Sequence, residues 1–247
     1  MIEQNENNQL SYNKIDKSDT VPKKKQTVAS KIFASVGWKG TLLYPLVLHG
    51  IWNRKWNHAV DCGIHLGHYS ICYSRLFFKV TSIDAAIHKK AEKIKNHKNI
   101  KLIEKCLSHT PGDKVTFFIP EDTSLSTIHK SYLMNNQNKV NFDNIEQKNV
   151  ITETLDNIIK KPIDFLKVDC EGSDADILMG GKNIIKKYNP TIVCNQNDHL
   201  IERFLTDLSY TKLPLHEELP YCTDDVYIPS WQIEIKNKEN EELEKIY

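Results

Sequence analysis

The run Ala59 to Ser70, AVDCGIHLGHYS, and the strand VTSID that stops on Asp84 constrain this chain more than any other feature. Together they read as a strand, a glycine-bearing turn opening a helix, and a second strand whose carboxylate lies about twenty residues downstream. A doubly wound sheet holds a nucleoside in this way. Gly63 and Gly67 lack a Cβ, so the turn can take unusual dihedrals and bring its backbone close to a ligand. Asp84 offers two acceptor oxygens to the ribose hydroxyls, and Asp61, just before the turn, is placed to face the same crevice. The spacing is DxGxxxG rather than GxGxxG, so the pyrophosphate cradle of nicotinamide enzymes is not reproduced and a cofactor without a pyrophosphate fits better. The plain alternative is that the glycines only turn the chain while Asp84 caps a helix.

Residues 163 to 188, IDFLKVDCEGSDADILMGGKNIIKKY, begin with an apolar run that ends in charged and small residues, as a buried parallel strand does at its functional end. Asp169 and Glu171 therefore emerge at the carboxyl edge of the sheet. Ser173 and Asp176 suggest a capping box, and Ile177, Leu178, Ile184, Ile185 and Tyr188 share one helical face. Gly180 and Gly181 each cost such a helix roughly 1 kcal/mol relative to alanine, which implies close packing or an interruption.

With AVDCGIHLGHYS, VTSIDAA, the leucine-aspartate step in ITETLDNII, and above all DFLKVDCEGSDADILMGG followed by NPTIV, the chain resembles the FkbM family of S-adenosylmethionine-dependent methyltransferases over residues 57 to 197. The resemblance implies an α/β, Rossmann-like class I methyltransferase fold, a mostly parallel doubly wound sheet with helices on both faces. It implies S-adenosylmethionine as cofactor and methyl transfer to a hydroxyl of a sugar, glycan or glycosylated metabolite. It assigns cofactor binding to Asp61, Gly63, Gly67 and Asp84, and it puts Asp169, Glu171 and Gly172 beside the transferred methyl. Ile64 and His65 stand where the family usually has a small residue and an asparagine; His65 can still donate a hydrogen bond to the cofactor. After NPTIV the family often has a glutamate, and here Cys194 and Asn195 follow, leaving Asn195 as an acceptor-side candidate.

A methyl sulfonium is already activated, so the enzyme must align a nucleophilic oxygen and exclude water. A protonated sugar hydroxyl also gains from a general base, for which Asp169 and Glu171 are the candidates: two neighbouring carboxylates hold one pKa high. One of them capping the next helix is the structural alternative. Ligation of a divalent metal with Asn195 or Asp198 is a rival role and stays open.

At 247 residues and 40% hydrophobic, the chain can bury the core of one sizeable domain. A net charge of +1 argues against a nucleic-acid partner, and TLLYPLVLHGI is too short and too interrupted by Pro45 to span a membrane. Six cysteines without CxxC spacing and a polar amino end without a signal peptide lead us to expect a cytoplasmic protein of unassigned oligomeric state. Residues 1–27 are expected to be a disordered polar leader, 28–56 a helical preface, 57–235 the methyltransferase domain and 236–247 a charged tail. A basic helix is expected at AAIHKKAEKIKNH, and strands at IKLIEKCLS and KVTFFIP, the first ending at Leu107 and Ser108 where topology would bring an adenine. The polar connection 121–147, with His129 and Tyr132, suits a carbohydrate acceptor. A helix at HLIERFLTDLSY and an edge strand at DDVYIPS complete the expectation. A catalytically inactive nucleoside-binding or scaffold protein is the alternative function, and a nicotinamide oxidoreductase the third.

Overall fold

The computed structural model describes residues 56–195, 198–213 and 224–234. The expected leader, nearly all of the preface and the charged tail lie outside the described residues. In chain order the elements are β1 (His58–Cys62), α1 (His68–Ser74), β2 (Lys79–Asp84), β3 (Ile100–Glu104), β4 (Cys106–Leu107), β5 (Lys114–Ile119), α2 (Lys130–Asn135), β6 (Glu146–Glu153), α3 (Leu155–Ile158), β7 (Phe165–Val168), α4 (Asp174–Gly180), α5 (Lys182–Tyr188), β8 (Thr191–Asn195), α6 (His199–Asp207), β9 (Tyr210–Lys212) and β10 (Asp224–Pro229).

Seven strands form the main sheet in the order β3-β2-β1-β7-β8-β10-β9. From β3 to β8 the neighbours run parallel, while β10 is antiparallel to both β8 and β9. β1 and β7 are buried along their whole length, which is why they read as apolar runs rather than as alternation. Their side chains still divide between two faces. Ala59, Val80 and Phe165 join Tyr73 of α1 in one core, while Val60, Leu166 and Ile192 join Ile177 of α4, Ile185 of α5 and Leu205 of α6 in the other. Helices thus cover both faces of a mostly parallel sheet, the expected doubly wound class. The chain winds outward from β1 through β2 to β3 and then returns to place β7 on the other side of β1. That reversal opens a crevice beyond the carboxyl ends of β1 and β7, where such sheets bind ligands.

A second sheet, β4-β6-β5, grows from the connection between β3 and β7. The expected strand IKLIEKCLS breaks at Lys105, whose N–H donates to Asp84 O at 2.8 Å; β4 then leaves the main sheet to pair with β6. The connection 121–147 is not simply a loop. It holds α2 and short 3-10 turns around a small core of Leu125, Leu133 and Val140.

Three further expectations are corrected. AAIHKKAEKIKNH forms only a 3-10 turn at Glu92–Asn96, because Ala91 and Ile94 are its buried anchors and its lysines are solvated. DDVYIPS is an interior strand, paired with β8 on one side and with the edge strand β9 on the other, and its Asp225 is buried against Lys212 Nζ at 2.7 Å. Ser173 makes no side-chain cap; Asp174, the first residue of α4, reaches back to the preceding turn, its Oδ1 accepting from the Cys170 N–H at 2.6 Å. Gly180 and Gly181 do both things expected of them. The helix breaks between α4 and α5, and a Cβ on Gly180 would overlap the Ser108 carbonyl oxygen.

Candidate functional site

A cavity of about 550 Å³ fills the crevice, within the range of ordinary ligand pockets. Its floor is built from two turns that touch. The first leaves β1 through Gly63 (φ 77°), and a Cβ there would overlap the carbonyl oxygen of Asp169 in the second. The first turn is held from within the sheet. Asp84, at the end of β2, accepts from the N–H groups of Ile64 at 3.0 Å and His65 at 3.2 Å, and its other oxygen accepts from Ala86 N–H at 3.1 Å. Burial pushes the Asp84 carboxyl up, and these donors oppose the shift. His65 (φ 46°) accepts its left-handed backbone and places Nε2 3.1 Å from Thr123 Oγ1.

The second turn leaves β7 with Asp169, Cys170, Glu171 and Gly172. Lys167, wholly buried in β7, gives its ammonium to Asp169 Oδ2 at 2.9 Å and lies 4.5 Å from the centroid of the Tyr69 ring. Burial works against the Lys167 charge, but Asp169, Asp61 and Asp224 outweigh it and raise its pKa, so it remains a cation. Glu171 has φ 43° and Gly172 φ 92°, a left-handed pair that turns the Glu171 side chain into the cavity. Its carboxyl is pushed up to about 7, first by burial and further by Asp169 and Asp174, while the Tyr132 hydrogen bond and Lys167 pull it down. A carboxyl near neutrality is suited to accept a proton.

The cover comes from the inserted segment. Phe117 and Ile119 of β5, Glu146 and Lys148 of β6, and the hydroxyl residues Thr123, Ser124, Ser126 and Thr127 line the same cavity. Thr127 Oγ1 donates to the Glu171 carbonyl at 2.8 Å, and the Tyr132 phenol donates to Glu171 Oε2. Among the described residues no group of three or more His, Cys, Asp or Glu is arranged to hold a metal ion, and no helix is long and apolar enough to cross a membrane.

The family model described as the methyltransferase FkbM domain matches residues 23–218. The chain belongs to the FkbM methyltransferase family. No match exists among the curated proteins. Of solved structures, an FkbM methyltransferase from Methylobacillus flagellatus KT is 16% identical with a TM-score of 0.45, the match covering 70% of this chain and 43% of that one. The chain therefore spans less than half of that protein's length. A putative methyltransferase from Streptococcus mutans in complex with SAH is 14% identical with a TM-score of 0.41, over 73% of this chain and 93% of the other. An rRNA methylase from Streptococcus thermophilus is 12% identical with a TM-score of 0.40, over 73% and 92%.

Six of the residues expected at the FkbM site line the cavity: Gly63, His65, Asp84, Leu107, Asp169 and Glu171. The others stand elsewhere. Asp61 is wholly buried beneath the floor, because β1 pairs with β7 in the register that sets it opposite Lys167; its Oδ2 accepts from Ser70 Oγ at 2.6 Å. Gly67 packs on Ile94, and Ser108 is buried with its N–H donating to Glu153 O at 2.9 Å. Asn195 ends β8, its N–H 3.4 Å from Asp174 Oδ2, and His129 stands at the start of α2, outside the cavity wall. Asp198, a possible metal ligand on sequence, caps α6 by accepting from Leu200 N–H at 2.8 Å. Cys62 and Cys194 are buried in the core, whereas Cys170 reaches the cavity. Lys167 and Tyr132 are the site residues whose positions local patterns did not reveal. A lysine inside the apolar run IDFLKV is the one signal that pointed to Lys167.

Proposed function

We propose that this chain is an S-adenosylmethionine-dependent O-methyltransferase that methylates a hydroxyl of a sugar, glycan or glycosylated metabolite, with residues 57–235 as its methyltransferase domain. The observation that carries the reading is the joining, in one cavity, of the glycine turn anchored on Asp84 with a half-buried Glu171 carboxyl poised at about 7. The residues present fit the cofactor. Gly63 lines the cavity and lets the Asp169 turn close against it, Asp84 stands at its side for a ribose hydroxyl, and Leu107 offers an apolar surface to a base. Asp84, Asp169 and Glu171 put three carboxyls on the cavity lining, with Lys89, Lys105 and Lys148 also on it. When bound, the cofactor supplies a methyl group already activated on a sulfonium. The chain's own part is to align the acceptor oxygen, exclude water beneath the β5–β6 cover, and take the hydroxyl proton on the Glu171 carboxylate. Thr123, Ser124, Ser126 and Thr127 make the cover side of the cavity polar, as an acceptor with hydroxyls requires, although each of their own hydroxyls has a partner within the protein. Cysteine usage supports a cytoplasmic setting.

A thermal-shift titration with S-adenosylhomocysteine, with NAD as the competing ligand, tests the reading. At a hundred times its dissociation constant the ligand adds about 2.7 kcal/mol, a rise of about 5 to 10 °C for a domain of this size. No rise with S-adenosylhomocysteine, or a rise with NAD instead, would remove the cofactor assignment.

A further inference from the structure

We infer that Tyr132 is a positioning residue for the Glu171 base: its phenol holds Oε2, fixing the carboxylate so that the acceptor proton is taken on Oε1. The inference rests on the methyltransferase reading and deepens it. Tyr132 is carried by α2, which is anchored by the fully buried Leu133. Its ring lies over Gly172, where a Cβ would come within 3.3 Å of Tyr132 Cδ2, so the missing side chain at Gly172 makes room for the ring. The same segment grips Glu171 a second time, since Thr127 Oγ1 donates to the Glu171 carbonyl at 2.8 Å. The two grips are tied together through His129, whose N–H donates to Thr127 Oγ1 at 3.0 Å and whose carbonyl accepts from Tyr132 N–H at 2.9 Å. Main chain and side chain of Glu171 are thereby both set by the segment that walls the acceptor side.

The groups facing the Glu171 carboxyl are Asp169 and Lys167 on and just after β7, Asp174 on α4, and Tyr132 on α2. The two aspartates raise it and Lys167 lowers it; Tyr132 is the hydrogen-bond donor among them, and it also lowers it. Burial and the Glu171 partnership keep the phenol above its ordinary pKa, so it remains a donor across the neutral range. Tyr132 thus offsets part of the burial effect and determines the pH at which the base becomes available.

The test is a carbon-13 NMR titration of the full chain labelled at the glutamate carboxyl, with E171Q identifying the Glu171 signal. In Y132F the Glu171 midpoint should move up from about 7 by about one pH unit, the size of a lost charge-assisted hydrogen bond. A midpoint that stays in place or moves down would overturn the inference. Should Y132F not fold, the reciprocal variant decides. In E171Q the titration of one tyrosine should move down in pH, while burial still holds it above the ordinary range, and no such movement would overturn the inference equally. Thermal shift with S-adenosylhomocysteine on the parent chain separates the two levels. An unmoved midpoint with ligand still bound sinks only the role of Tyr132, whereas no ligand binding sinks the methyltransferase reading and leaves the titration to stand.

Discussion

The turns after β1 and β7 use the same backbone device and differ in how much of their support comes from the cover. Each pairs positive-φ glycine with a left-handed residue that is not glycine, His65 in one and Glu171 in the other. The first is pinned from within the main sheet by a carboxylate that accepts from its N–H groups, Asp84 on Ile64 and His65. The second is held by Asp174 on the Cys170 N–H and also, from the inserted cover, by hydroxyls that donate to it, Thr127 and Tyr132 on Glu171. On the proposed reading, the cofactor side is held from the main sheet, while the Glu171 base shares its support with the acceptor wall. Changes in the cover that alter the acceptor would also alter the base.

Substituting the glycines separates the two turns most strongly. G63A places a methyl group on the Asp169 carbonyl at φ 77°, so left-handed strain and overpacking add to a loss on the order of 4 kcal/mol. Chemical denaturation should record that loss together with the disappearance of stabilisation by S-adenosylhomocysteine; a near-normal midpoint would show that the turns do not interlock. E171Q comes next. Methyl transfer, read as S-adenosylhomocysteine release, should fall by about a hundred- to ten-thousand-fold while cofactor binding persists. An unchanged rate would move the base to Asp169.

The same variant has a pH signature. The Glu171 carboxyl sits at about 7 when folded against 4.5 ordinarily, so the stability tied to its protonated form is fully present below 4.5 and is lost as pH rises to about 7. Relative to E171Q, the parent chain should therefore weaken across that window and then level off in urea midpoints. In the parent, methyl transfer should rise with pH through about 7 as the base ionises. The smallest effect is expected of G172A. Its Cβ meets only the edge of the Tyr132 ring at 3.3 Å, and the φ of 92° costs about 1–2 kcal/mol, with cofactor binding intact. If G172A proved as damaging as G63A, the two turns would not differ in their support.

Much of the framework was legible because it depends on short-range chemistry. Apolar runs ending in an acid mark β2 and β7 and the carboxyl edge to which they bring Asp84 and Asp169; glycines mark the turn after β1 and the break between α4 and α5. The cover was not legible in the same way. Cys106 and Leu107 look like the end of β3, yet they pair with Thr152 and Glu153 in another sheet. DDVYIPS looks like an edge strand until β9 is seen paired along its outer side.

By itself, then, the sequence determined the doubly wound class, the two glycine turns and the acids at the ends of their strands, since periodicity and backbone sterics act over a few residues. Only the tertiary structure decided which of those acids face the cavity. The register of β1 on β7 turns Asp61 down onto the side of Lys167, and a fold-back of 39 positions brings Tyr132 onto Glu171. Strand register and long-range closure are determined by the packing of the whole core, and no local pattern encodes them.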